Sequence, residues 1–304
     1  MKPESFDPGL TTQFSGPLRR TINPDGTFNV RRQGLRLRDT NLYLMLIDTT
    51  WTRFFAAVLV TFVLINVLFA GLYLAVGIEH LQGVEPEMGA FVNAFFFSVH
   101  TLTTVGYGNV FPRAIAANAI SAVEATMGLM IFALGTGLLY GRFSRPSAKI
   151  LFSHRALIAP YQDGTSLQFR ITNARNNVLI NLEARVLLMT VNRADSQLKR
   201  SYFDLELERR QVYFFPLTWT IVHPIDSASP LYGKTADDLR SEEAELLILI
   251  KAFDDTFSQS VHSRFSYRHD EILWGAKFEP AFRVDENGDL VLDVKRVHEL
   301  KMLG

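Results

Sequence analysis

The stretch of this chain best equipped to do chemistry is Thr103-Thr104-Val105-Gly106-Tyr107-Gly108. Its glycines permit backbone angles closed to other residues, so successive carbonyl oxygens can be set on one side of the chain. The Thr104 hydroxyl adds one more oxygen at the inner end. Four such loops around an axis would stack rings of oxygen able to replace the water around a K⁺ ion, the arrangement of a potassium selectivity filter. The carbonyls of Thr104, Val105, Gly106 and Tyr107 are the expected K⁺ sites, with Gly108 at the mouth. K⁺ is then cargo, and no organic cofactor is expected. A Gly-Tyr-Gly turn occurs in many folds, so the motif points to a filter only in the right setting, between two membrane spans and after a short apolar helix.

The flanking elements supply that setting. Phe54 to Ile78 carries no charge, and at about 1.5 Å per residue it crosses a bilayer core of ~30 Å with some tilt. Ala114 to Gly141 is a second apolar run, broken only by Glu124. Between them Phe91 to Leu102 is too short to span and reads as a re-entrant segment, which survives at membrane depth only when protein or a water-lined cavity surrounds it. One chain carries one such loop, so a pore needs four subunits, a homotetramer. Arg31, Arg32, Arg36, Arg38 and Arg53 precede the first span and Arg142, Arg145 and Lys149 follow the second, while the connecting loop holds Glu79, Glu85, Glu87 and Arg113. The positive-inside rule puts both termini in the cytoplasm, as expected for a multi-pass protein of a bacterial inner membrane.

The expected organisation is an N-terminal segment 1–35, an interfacial slide helix 36–50, a pore domain 51–142, a linker 143–150 and a cytoplasmic domain 151–304. Within the pore domain it places an outer helix at 52–78, a pore helix at 89–102, the filter at 103–108 and an inner helix at 113–142. Leu37 to Thr50 mixes Arg38, Asp39 and Asp48 with five apolar residues; it is either an amphipathic helix in the interface or an extension of the span. The cost of taking Asp48 deeper favours the interface. Trp51 stands where an interfacial anchor belongs.

On the inner helix Phe132, Thr136 and Tyr140 recur every fourth residue and share a face. Tyr140 is either one member of an aromatic ring that closes the pore or an interfacial belt tyrosine, and the spacing alone leaves both open. Gly128, Gly135 and Gly137 permit bending or close helix packing, with packing the expected role. Glu124 costs about 2.5–3.5 kcal/mol at the centre of a span, so it should face protein, in a hydrogen bond to the pore-helix region.

Composition narrows the field. The 304 residues suggest two units, and zero net charge names no partner, nucleic acid included. Without cysteine there is neither disulfide nor thiolate metal site. The polar, Arg-rich first fifty residues contain no signal peptide. From Leu151 the pattern changes to short strands: Leu167 to Thr172 alternates, Arg185 to Val191 and Leu246 to Ile250 are apolar, and Asp163-Gly164 and Asn287-Gly288 signal hairpins. An all-β, immunoglobulin-like sandwich is expected, and Phe28-Asn29-Val30 after Asp25-Gly26 would add an N-terminal strand. Nothing points to an enzyme: no nucleophile elbow, phosphate loop or metal cluster is present in the sequence. A lipid or ligand sensor with a vestigial pore is the competing reading.

Several longer motifs have no generic reason to occur together. They are Asp48-Thr49-Thr50-Trp51, Arg142-Phe143-Ser144-Arg145-Pro146, Leu151-Phe152-Ser153-His154 with Ala156-Leu157-Ile158-Ala159, Thr220-Ile221-Val222-His223-Pro224-Ile225-Asp226 with Ser229-Pro230-Leu231-Tyr232, and Asp270-Glu271-Ile272-Leu273-Trp274-Gly275. In these, from about Asp48 to Glu299, the chain resembles the inward-rectifier potassium channels, most closely their prokaryotic (KirBac-type) branch. The resemblance implies a tetramer whose membrane pore continues through the cytoplasmic domain. It implies a bundle crossing at Tyr140, with Thr136 above it, which favours the gate reading. It also implies a cytoplasmic constriction at Thr256, Phe257, Ser258, Gln259 and Ser260; Asp254 and Asp255 beside it would either concentrate cations or form a solvated acidic turn.

The chain departs from the family's eukaryotic pattern at three places. Phe132 stands where those members carry the acidic or polar residue that traps polyamines or Mg²⁺, so the resemblance does not extend to strong rectification from that site. His100 and Val110 stand where a glutamate and an arginine pair behind the filter, so the filter must be braced otherwise. The phosphoinositide site keeps Arg142, Arg145 and Lys149, with Ser147 and Ala148 in place of bases. The resemblance implies that anionic lipid or phosphoinositide binds there and inhibits.

Overall fold

The computed structural model describes residues 7–14, 20–31, 33–34, 41–144, 148–194 and 197–303, and its backbone falls into two units. Residues 32–145 form one; residues 1–31 join 146–304 in the other. The first 31 residues therefore group with the β-rich unit.

In the first unit the apolar runs are helices. Helix α1, Leu42–Asp48, starts where Asn41 Oδ1 accepts the amides of Tyr43 and Leu44 at 3.0 and 3.4 Å. It stops at Thr49, whose φ of −70° and ψ of 162° are extended, so α1 is not continuous with the span. Of the expected slide helix, residues 36–40 lie outside the described residues. Helix α2, Trp51–Val76, and helix α4, Ile115–Phe143, are each long and apolar enough to cross a membrane. Helix α3, Ala90–Leu102, has 13 residues, about 20 Å at 1.5 Å per residue, and cannot. Asn93 fixes its entry: Nδ2 donates to Glu85 O and Gly89 O at 2.7 and 2.9 Å, and Oδ1 accepts the Glu85 amide at 2.9 Å.

Against each other these helices bury a stripe made of Phe69, Ala70 and Tyr73 of α2, Ala94 and Phe97 of α3 and Ala117 of α4, and Phe54 is buried near the start of α2. Their remaining faces are apolar and open on this chain, with Leu59, Leu64 and Leu68 on α2 and Leu129, Met130 and Leu134 on α4 all exposed. Apolar surface on that scale must be covered by lipid or by other copies of the chain.

The second unit reverses this arrangement. From residue 150 on, the strands of its two larger sheets are β1 Ile150–Phe152, β2 Ala156–Tyr161, β3 Gly164–Asn173, β4 Leu179–Ala194, β5 Gln197–Asp204, β6 Gln211–Phe214, β7 Thr218–Ile225, β8 Glu245–Asp254, β9 Gln259–Arg268 and β10 Ile272–Trp274. One sheet runs β5-β4-β8-β9, with Gln13–Phe14 added antiparallel beyond β5 and β6 on β4; the other runs β7-β3-β2-β10, with β1 on β3. Alternate residues face inward as the two-residue period requires: Leu182, Ala184, Val186 and Leu188 from β4 and Leu246, Ile248 and Ile250 from β8 meet Leu167, Phe169 and Ile171 from β3 in one core. This is a sandwich of two sheets.

Phe28-Asn29-Val30 does not form the expected N-terminal strand. Asp25 Oδ1 accepts the Thr27 amide and hydroxyl at 2.9 and 2.6 Å, which folds the segment back so that Phe28 makes a single bridge to Ile22. The strand that this terminus does contribute is Gln13–Phe14. The adjoining Arg20 and Thr21 are tied down by side chains, Arg20 on Glu271 at 3.1 Å and Thr21 on the carboxylate of the buried Glu245.

Candidate functional site

The hairpin that follows α3 has an alternating backbone. Thr104, Gly106 and Gly108 have φ of 57°, 54° and 80°, while the residues between them stay at negative φ. Alternation between left- and right-handed conformations turns successive carbonyls toward one side of the chain. Gly106 and Gly108 enter the left-handed region freely, whereas Thr104 does so at about 1–2 kcal/mol. Costs of this kind gather at functional sites as well as in tight turns, and Thr104 shares the conformation with Gln162 and Ser258 in turns of the β-rich unit. The Val105 and Gly106 amides both point back to His100 O at 3.0 and 3.3 Å, and the Thr104 amide to Thr101 O at 3.0 Å. Among the described residues nothing donates to the carbonyl oxygens of residues 104–107. Their lone pairs are therefore available to a hard cation, the ligand that a set of neutral oxygens favours.

The half-buried His100 ring meets Tyr107 edge-on with centroids 4.8 Å apart, and Val110 packs into the helical core. No charged pair stands behind the loop at these positions. Bracing comes from below. Glu124 of α4 is fully buried and accepts from Tyr73 of α2 at 2.6 Å, and its other oxygen is hydrogen-bonded to Ser98 of α3. Ser98 Oγ also lies 2.9 Å from Oδ1 of the buried Asn66 of α2. One turn along both helices, Gly128 lies so close to Leu102 that any Cβ there would overlap the Leu102 carbonyl. Glu124 thus makes the expected bond to the pore-helix region, and Gly128 has the packing role. Gly135 and Gly137 have open space around them on this chain.

Lower on α4, Phe132, Thr136 and Tyr140 lie along one exposed face. The Thr136 hydroxyl donates to Phe132 O at 2.9 Å within its own helix. At the helix end both Nη atoms of Arg142 are engaged, while its buried Nε has no partner among the described residues. Its Nη1 donates to Leu46 O and to Ile47 O, the latter at 3.0 Å, and Nη2 donates to Thr49 O at 2.7 Å. Its guanidinium lies 4.4 Å from the Trp51 ring centroid and 4.6 Å from that of Phe54. A cation on the last carbonyls of α1 satisfies groups that the helix end leaves orphaned. Trp51 therefore packs against the Arg142 guanidinium and, at a tilt of 40°, the Phe143 ring, and is not simply an interfacial anchor. Asp48 is the last residue of α1.

Of the other residues expected to meet lipid, Lys149 is exposed before β1 and Arg145 lies outside the described residues. Arg142, with its donors on backbone carbonyls, is not presented to a headgroup in this conformation.

The expected cytoplasmic constriction is the tip of the β8–β9 hairpin, with Thr256, Phe257 and Ser258 in the turn and Gln259 and Ser260 opening β9. Ser258 has φ of 51°. Asp254 is neither a solvated charge nor one facing an ion path. It is fully buried, its Oδ1 accepting the Thr256 amide at 3.0 Å and its Oδ2 the Asn177 amide group at 2.7 Å. Asp255 is exposed.

Asn66, Tyr73 and Ser98 carry no motif and were not among the expected site residues. The available signal was a polar side chain inside an apolar run, the same signal that singled out Glu124.

Comparison with known proteins bears on both units. An ion channel family model matches residues 60–144, and the inward rectifier potassium channel C-terminal domain matches residues 150–303. Over 298 residues the chain is 37% identical to inward rectifier potassium channel Kirbac3.1 of Paramagnetospirillum magnetotacticum, covering 96% of this chain and 99% of that one. It is 25% identical over 280 residues to human inward rectifier potassium channel 18, covering 85% of this chain and 64% of the relative. Inward rectifier potassium channel 4 of Mesocricetus auratus is 29% identical over 229 residues, 70% of this chain and 50% of that one.

Proposed function

This chain belongs to the inward-rectifier potassium channel family, and from that premise we propose that four copies surround a K⁺-selective pore lined by the carbonyls of Thr104, Val105, Gly106 and Tyr107, with Gly108 at the mouth. The observation that carries the reading is the alternating φ at Thr104, Gly106 and Gly108, in a hairpin between two helices able to cross a membrane. It is a membrane protein; both termini lie in the cytoplasm of a bacterial cell, and the lipid around it is the inner membrane. Phe132 contributes an apolar ring to the cavity. Tyr140, with Thr136 one turn above, closes the inner mouth by narrowing and dewetting it. The β8–β9 tip, Thr256–Ser260, forms a second constriction. Anionic lipid or phosphoinositide inhibits through Lys149 and Arg145, and Arg142 contributes through its hold on α1.

Purified protein in liposomes should pass Rb⁺ or K⁺, with block by Ba²⁺. Equal Na⁺ and K⁺ permeability would overturn the selectivity claim. Gly106→Asp should abolish flux in an intact tetramer, and flux that survives it would place the pore elsewhere. Binding of anionic lipid without any ion flux would support the sensor reading instead.

A further inference from the structure

Three helices meet at the Glu124 carboxyl, and the hydrogens at that meeting point can be counted. Asn66 Nδ2 donates to Phe62 O at 2.7 Å, so its amide cannot be turned round without setting two oxygens against each other. Asn66 Oδ1 then faces Ser98 Oγ at 2.9 Å and needs the serine's hydrogen. Ser98 has one hydroxyl hydrogen, yet its oxygen is also hydrogen-bonded to Glu124 Oε1. The hydrogen in that second bond must come from the other partner. Tyr73 supplies a hydrogen to Glu124 Oε2 at 2.6 Å and has none to spare. The one remaining source is the carboxyl itself.

We propose that Glu124 is a positioning residue for the selectivity filter and that it works as a neutral carboxylic acid, donating from Oε1 to Ser98 and accepting at Oε2 from Tyr73. The relay runs one way, from Glu124 to Ser98 to Asn66 to the Phe62 carbonyl, and every member is satisfied. No uncompensated charge is then left in the membrane, where an ionised carboxylate would be costly. The relay fixes the rotation of α3 at Ser98, and the Gly128–Leu102 contact fixes it again one turn later, immediately before the hairpin. With spacings of four residues on both helices, the two contacts form one seam.

This inference rests on the filter reading of residues 104–107, and its test is separable from that reading. Glutamine offers the same shape, an acceptor for Tyr73 and an N–H for Ser98. Glu124→Gln should therefore keep the K⁺/Na⁺ permeability ratio in liposome flux within about twofold of the parent, while Glu124→Ala and Ser98→Ala lower it by about tenfold or more in intact tetramers. If Gln loses selectivity as Ala does, the neutral-acid claim fails; if Ala keeps the parent ratio, the positioning role fails. Infrared difference spectroscopy gives a second readout should the alanine variants not assemble. The parent should show the carbonyl stretch of a protonated carboxyl and Glu124→Gln should lack it; a parent spectrum with only carboxylate bands overturns the proposal. The filter reading itself fails separately, in the parent protein, if Na⁺ and K⁺ pass equally.

Discussion

The inner helix is fastened at two places, near its middle and at its C-terminal end, by opposite means. At Glu124 and Gly128 the hold is buried, neutral in our reading and tight to the backbone: a carboxyl shared by three helices and a glycine against a carbonyl. At Arg142 the hold is a cation on the last carbonyls of a short helix, between two aromatic rings. The stretch between, which carries Phe132, Thr136 and Tyr140, has no buried residue. A buried, directional contact has few alternative geometries, because breaking it strands polar groups away from water. A cation near the membrane surface can exchange carbonyls for water or for headgroups at modest cost. On the proposed reading, the fixed hold serves selectivity and the exchangeable one serves gating.

The largest expected effect breaks the upper hold. In Gly128→Val a side chain enters the space of the Leu102 carbonyl, an overpacking cost of at least about 1–3 kcal/mol. Flux should be lost or unselective, whereas Gly135→Ala, in open space on the isolated chain, should conduct with parent selectivity. Equal damage from both substitutions would remove the distinction between the two stretches of α4.

Arg142→Ala should follow, since a charge-assisted hydrogen bond is worth about 1.5–3 kcal/mol and the α1 carbonyls lose their donor. Basal flux and its response to phosphoinositide should change, with the K⁺/Na⁺ ratio preserved. A changed ratio would show that the lower end also sets the filter. Next, Tyr140→Ala should raise basal flux by about tenfold with no change in selectivity. Unchanged or lower flux would move closure to the β8–β9 tip.

The smallest effect concerns the β unit and serves as a control for acid titrations. His223 is buried, with Nδ1 on Glu206 O at 2.6 Å and Nε2 on Ser229 Oγ at 2.8 Å, and burial holds its pKa below the ordinary 6.5. The unfolded chain therefore binds the proton more readily. This histidine's contribution is complete above about pH 6.5 and declines as pH falls from there toward the lower folded value. The thermal midpoint should drop on acidification, and His223→Gln should flatten that slope. An unaltered slope would assign the acid response to other groups.

Much of the site was legible along the chain because filter, pore helix and both spans are consecutive. The need for positive φ writes itself as Gly106 and Gly108, and membrane thickness writes itself as apolar length. Asp254 was misread because an acidic pair in a turn looks the same whether it caps the hairpin or faces water. The terminal strand was misplaced because Asp25-Gly26 marks a turn without saying what the turn returns to. The hold of Arg142 on α1 is not legible along the chain, because its partners are backbone carbonyls, which no side-chain pattern records.

By itself the sequence determined the local facts: which segments are apolar enough to leave water, where the backbone can turn left-handed, and where strands alternate. Only the tertiary structure decided which polar atoms meet. Asn66 and Tyr73 share a face of α2, but nothing along the chain ties them to Ser98 of α3 or Glu124 of α4. Hydrogen bonds depend on distance and direction in space, to within a few tenths of an ångström, and separation along the chain carries no information about either.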